Sequence, residues 1–108
     1  MAETIFSVAK DFSPFAGPRF TRQGPHSGEA LRSKLVRFLE RHPGKVTVVL
    51  DGTKGMGSSF LDEAFGGLIR NEGWAKRDVE QRLRFQSRLD PSYLSTIIDS
   101  IERASADS

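Results

Sequence analysis

The feature that most constrains this chain is the run Val46-Thr47-Val48-Val49-Leu50, β-branched, almost continuously apolar and closed by Asp51-Gly52. Such a run suits a strand buried on both faces, as in a sheet covered by helices. Past a glycine-rich turn, the apolar residues Phe60, Leu61, Ala64, Phe65, Leu68 and Ile69 fall in the i, i+1, i+4, i+5 stripe of a helix with one packed face. The stretch from Lys45 to Ile69 therefore reads as strand, tight turn, helix. Gly52, Gly55 and Gly57 open the turn to positive φ and close approach, so a loop poor in side chains sits above the C-terminal end of the strand. Ligands and partners of open α/β sheets bind at that end.

The flanking sequence supplies further elements in alternation. Thr4–Ala9 is rich in β-formers and reads as a first strand. From Asp11 to Ser27, Pro14, Pro18 and Pro25 exclude a helix, while Arg19–Arg22 fits a short strand hairpinned onto the first. Phe12, Phe15 and Phe20 are expected to pin this stretch to the body. Ser27 is placed to cap a helix whose buried stripe is Leu31, Leu35, Phe38 and Leu39, with Arg32, Lys34, Arg37 and Arg41 forming a solvated basic face or a docking surface. His42-Pro43-Gly44 ends it.

After the central unit come one or two helical turns over Ala75–Gln81, an edge strand over Leu83–Ser87, and a last helix opened by Asp90-Pro91. Tyr93, Leu94, Ile97, Ile98 and Ile101 are its expected buried stripe, and 104–108, like 1–2, is expected to fray. The order predicts an α/β layer structure: about four strands in a mixed sheet packed with three main helices.

At 108 residues the chain has room for one core, hence a single domain. The absence of cysteine excludes disulfides and thiolate chemistry. No basic-plus-apolar leader and no apolar run near the ~20 residues of a bilayer span is present, so the reading is cytoplasmic with no membrane contact. Sixteen Lys and Arg against fourteen Asp and Glu give a net charge of only +2, which argues against nucleic acid as a partner. The local cluster Lys76, Arg77, Arg82, Arg84 and Arg88 keeps an accessory nucleic-acid-binding role through 76–88 as the alternative, although Asp78 and Glu80 interleave it.

The loop Gly52-Thr53-Lys54-Gly55-Met56-Gly57-Ser58-Ser59 invites a phosphate-binding reading, but a nucleotide P-loop is GxxxxGK[ST], and here Lys54 precedes the last glycines. The dinucleotide pattern GxGxxG fails as well. Two hydroxyls remain at a helix start: either Ser58 or Ser59 caps the helix, or one is exposed and phosphorylated where the helix end favours negative charge. Asp62 and Glu63 fall in the first turn, complementing the dipole, and Asp51 completes no metal set with them. No cofactor is implied and the chain is not read as an enzyme.

The segments Gly17–Arg32 and Val46–Leu68 with the final strand and helix, nearly the whole chain and most specifically the run Gly55–Phe65, resemble the bacterial STAS-like domains of unknown function, relatives by fold of the anti-sigma factor antagonists. In those antagonists a strand ends in an acidic residue, then two serines, glycine and leucine head a helix, and a partner kinase phosphorylates the second serine. The resemblance puts Ser59 at the phospho-acceptor position, with Ser58 beside it. Gly57 stands where the acidic residue would be, and Phe60 where the glycine would be. It also implies a STAS-like fold and a histidine-kinase-type ATPase as partner. The expected function is a non-catalytic regulatory module that binds a protein partner through Thr53, Lys54, Gly55, Met56, Gly57 and Phe60, with Met56 as an exposed apolar contact.

Overall fold

The computed structural model describes residues 3–107. The central apolar run forms strand β2, Val46–Val49, flanked by β1, Thr4–Ser7, and β3, Leu83–Gln86. The sheet has three strands in the order β1-β2-β3, all parallel, so the expected fourth strand and mixed pairing are corrected. The reason lies in where the backbone groups of the proline-rich stretch go. Thr21–Gln23 forms a 3₁₀ turn. The Pro18 and Arg19 carbonyls accept the Gly28 and Glu29 N–H groups, the Phe20 N–H donates to the Gln23 side chain, and the Thr21 N–H donates to Glu29. With these groups committed to the head of the next helix, few remain for a ladder with β1.

β1 also stops short of Ala9. The chain turns at Val8–Phe12 into a π-helical turn, capped by the Ser7 hydroxyl, which accepts the Lys10 N–H at 3.2 Å. Of the three aromatics expected to pin the following stretch, Phe12 packs against the core, Phe20 is half-buried beneath the Arg22 guanidinium, and Phe15 is 60% exposed.

Both crossovers step the same way across the sheet, so the right-handed rule places both over one face. Burial follows that rule. Phe6, Val48 and Phe85 lie in register on the covered face, Phe6 against Phe38 and Phe85 against Phe65, both edge-on. On the opposite face the row Ile5, Thr47, Arg84 leaves Ile5 50% exposed and Arg84 exposed. β2 is therefore not buried under helices on both sides. Thr47 is shielded there by Glu3, whose carboxylate accepts its hydroxyl hydrogen bond.

Helix α1, Gly28–Arg41, begins as expected at Ser27, whose side chain accepts the Ala30 N–H. Leu31, Leu35 and Leu39 are buried and Phe38 half-buried. The next helical rod is composite: α2, Ser58–Leu61, a π-helical turn, Asp62–Gly66, and α3, Gly67–Arg70. All six residues of its expected stripe are buried. A stripe repeating every four residues drifts by about 40° per repeat on a helix of 3.6 residues per turn. The wider π turn in its middle counters that drift, so Phe60 and Ile69 face the same core.

Helix α4, Lys76–Arg82, leads into β3, and α5, Ser92–Asp107, closes the chain. In α5, Ile97, Ile101 and Ala104 are buried, but Ile98 is 54% exposed and leaves the expected stripe. The helix is continuous to Asp107, with Ala104 buried. The expected fraying of 1–2 and 108 lies outside the described residues. Arg82 ties two elements together. Its guanidinium donates to the Leu39, His42 and Gly44 carbonyls, satisfying groups that the end of α1 leaves open. No helix among the described residues is long and apolar enough to cross a membrane.

Candidate functional site

The loop between β2 and α2 is held by hydrogen bonds at Thr53, Lys54 and Met56. The Thr53 hydroxyl donates to the Leu50 carbonyl, the Lys54 N–H donates to Pro14, and the Met56 N–H donates to the Tyr93 hydroxyl of α5. Gly52 and Gly55 take φ of +94° and +100°, where a side chain would be strained, and a Cβ on Gly52 would lie 3.2 Å from the Ala9 Cβ. The loop is thus fixed against its neighbours.

Ser58 and Ser59 occupy the first turn of α2 and both are exposed. Neither serves as the cap. Gly57 is the N-cap residue, with no side-chain bond, and its carbonyl accepts the Leu61 N–H at 3.1 Å. The expectation that one serine caps the helix is corrected, because the turn enters the helix one residue earlier. The exposed loop surface consists of Gly52, Lys54, Gly55, Gly57, Ser58 and Ser59, with Thr53 half-buried. Met56 is 8% exposed and Phe60 1%, so the expected apolar contact at Met56 is instead part of the core. Phe60 lies near Phe12, 6.4 Å between ring centroids, and supports the loop from below.

The two serines line a shallow cavity of about 340 Å³ together with Arg19, Arg70, Arg103, Asp62 and Asp107. The network beneath it was not legible as such in the sequence. Asp62 accepts from Arg19 at 2.7 Å and from Arg70 at 3.0 Å. Glu63, only 4% exposed, accepts from Arg32 at 2.7 Å and Arg19 at 3.2 Å, and its own carbonyl accepts a second bond from Arg32 at 2.6 Å. Arg32 also reaches Glu72 at 3.0 Å. Asp62 and Glu63 therefore do more than complement a helix dipole, and Arg32 belongs to the interior rather than to the solvated face of α1.

Burial acts to raise the Asp62 pKa, but hydrogen bonds from Arg19 and Arg70 outweigh it and hold the carboxyl below the ordinary range. Arg19 is shifted upward chiefly by its bond to Asp62. A signal for this network does exist in the sequence. Gly28 and Arg32 are one helical turn apart, and Gly67 lies four residues past Glu63. A Cβ at Gly28 would meet the Phe60 carbonyl oxygen at 2.4 Å, and one at Gly67 would meet Arg32 Nη1 at 2.2 Å. Both glycines make room for the crossing of α1 over the π turn.

Asp51 is a clasp. Its carboxylate accepts the N–H groups of Arg88 and Leu89 at 2.8–3.1 Å, bonds that lower its pKa, Leu89 contributing most. Among the described residues no group of three His, Cys, Asp or Glu side chains is arranged to hold a metal ion. The basic segment 76–88 is dispersed. Lys76 pairs with Glu102 at 3.6 Å, Arg82 is spent on α1, and Arg84 lies on the open sheet face.

Searches of curated proteins and of solved structures give no match to this chain. One family's sequence model matches residues 27–92, from the cap of α1 through β2, the serine loop, the π turn and β3 to the first residue of α5. That span covers more than half of the chain and carries the strand–loop–helix unit on which the site is built. The chain belongs to the STAS-like domain of unknown function family (DUF4325).

Proposed function

We propose that this chain is a non-catalytic regulatory module of the bacterial cytoplasm that binds a protein partner through the exposed surface of 53–60. A STAS-like domain suggests such a protein-interaction role in general. The partner proposed is an ATPase of the histidine-kinase type, and the switch is phosphorylation of Ser59 or Ser58. The observation carrying this reading is that both hydroxyls are exposed, relieved of capping by Gly57, and set in a cavity with Arg19, Arg70 and Arg103. A phosphate there would add roughly −1.5 to −2 charges beside three guanidiniums and two carboxylates, at the positive end of a helix. It would compete with Asp62 for Arg19 and Arg70, giving the partner two distinguishable surfaces.

The test is intact-mass measurement after incubation with ATP and an ATPase encoded beside this gene. One added phosphate, absent when Ser58 and Ser59 are both alanine, supports the switch. No phosphate, or phosphate retained in the double variant, removes it. Binding is tested separately by titrating the unmodified chain against the same ATPase. Lys54→Glu should weaken binding at least tenfold, and an unchanged affinity would place the interface elsewhere.

A further inference from the structure

A second concave surface shares no lining residue with the serine cavity. It is a groove of about 870 Å³ between the π turn after β1 and the outer face of α1. Lys34, Arg37 and Arg41 lie three and four residues apart on one side of α1, and Lys10 projects from the opposite wall. All four are exposed, and none forms an ion pair among the described residues. Asp11 is the one acid in the lining, and its carboxylate accepts the Ser7 N–H at 2.7 Å. Phe6, Phe12, His26 and Phe38 supply aromatic rings to the lining. Phe12 is half-buried with the exposed His26 ring edge-on to it at 5.9 Å, and Phe38 stacks on His42 at 4.0 Å.

We infer that this groove binds a short stretch of single-stranded nucleic acid. The three α1 cations are strung over about 10 Å of helix rather than converging on a point, at 1.5 Å rise per residue. That spread suits a chain of phosphates better than one terminal phosphate. Phe38 has one face taken by His42, but Phe12 and the exposed His26 ring also line the groove and would give unpaired bases ring surface to stack on, which the stacked bases of a duplex cannot reach. An acidic peptide would match the charges and leave the rings without a flat partner. The low net charge of the chain is no obstacle, because the four cations are local and Asp11 alone offsets them in the lining.

Fluorescence anisotropy with a labelled twelve-nucleotide oligothymidylate tests this, with a duplex of equal length and polyglutamate as competitors. Three to four phosphate contacts predict that affinity falls about 20- to 50-fold between 50 and 200 mM salt. The combined variant Lys34→Glu, Arg37→Glu, Arg41→Glu should abolish binding, and Arg37→Gln alone should weaken it several-fold should the triple variant fold poorly. Arg77→Glu with Arg84→Glu should leave it unchanged. The inference is overturned if the strand does not bind at low salt, if the α1 variants bind as the parent does, if the 77/84 pair carries the effect, or if duplex or polyglutamate competes as well as the single strand. The Ser58/Ser59 double alanine variant should bind the strand normally, which keeps this outcome separate from that of the serine switch.

Discussion

Replacing Gly67 with alanine should destabilise the domain, against the usual trend. Gly67 has helical φ and ψ of −62° and −22°, where alanine normally stabilises a helix by about 1 kcal/mol. Here the new Cβ would lie 2.2 Å from Arg32 Nη1 and 3.0 Å from its Cζ, more than an ångström inside the ~3.5 Å contact distance at the nitrogen. The guanidinium has nowhere to yield without leaving Glu63, since it holds both the carboxylate and the carbonyl and both side chains are 6% exposed. Breaking a buried pair costs about 3–5 kcal/mol. Arg19 at 3.2 Å from Glu63 compensates part of the charge, so the lower end applies.

Setting about 3 kcal/mol against the 1 kcal/mol helix gain gives a net loss of about 2 kcal/mol, which lowers Tm by about 8–10 °C in a domain this size. Urea unfolding followed by circular dichroism measures it. Gly66→Ala is the control: its Cβ would approach Arg70 Nη1 at 2.8 Å and Asp62 Oδ1 at 3.0 Å, but Arg70 is a 34% exposed side chain whose bonds to Asp62 can be exchanged for water, and Arg19 still holds Asp62. It should stay within about 1 kcal/mol of the parent. In an Arg32→Ala background the obstacle is gone, and Gly67→Ala should become stabilising. A Gly67→Ala protein as stable as the parent, or a cost undiminished without Arg32, would refute the reasoning.

Ser27→Ala removes the α1 cap and a 2.9 Å hydroxyl contact with Thr21, and should cost about 1–2 kcal/mol by urea melt. Arg82→Ala should cost about 2 kcal/mol and speed amide exchange in the last turn of α1, because three carbonyls lose a charged donor. Glu29, Asp51 and Asp62 all have pKa values lowered by folding, so near pH 4 the unfolded chain takes up protons that the folded chain refuses. Their contribution is present above the ordinary carboxylate range and lost as pH falls through the lower folded values. Asp51→Asn should flatten that acid limb in a stability–pH series, and an unchanged slope would count against the clasp.

How much was legible in the sequence follows from which interactions are local. The stripe of the 58–70 rod, the Ser27 cap and the three strands of the sheet rest on periodicity and near-neighbour chemistry, and the structure matches them closely. The fourth strand failed because a β-forming tetrapeptide says nothing about where its N–H and C=O groups go, and here α1 takes them. Met56 failed for a related reason: in a glycine-rich loop its neighbours suggest exposure, but the Tyr93 hydroxyl thirty-seven positions later draws its backbone inward. Arg32 looked solvated because its acceptors, Glu63 and Glu72, are brought to it only by the crossing of two helices.

The parallel sheet explains why the chemistry gathers on one rim. Three parallel strands all leave the sheet at the same end, so the turn after β1, the loop after β2 and the turn after β3 must meet there. They are stitched in a chain: Lys54 to Pro14, Asp51 to Arg88 and Leu89, Met56 to Tyr93. The links join the β2 loop to the stretch after β1 and, twice, to the stretch after β3, so a change in the loop's shape would have to break one of them. A charge added at Ser59 would bear first on Arg19 and Arg70, which hold Asp62 and Glu63, and Glu63 in turn holds Arg32 of α1. The same helix presents Lys34, Arg37 and Arg41 to the groove on its outer side. α1 is therefore the element that joins the ion pairs beneath the serine loop, through Arg32, to the basic groove on its outer side.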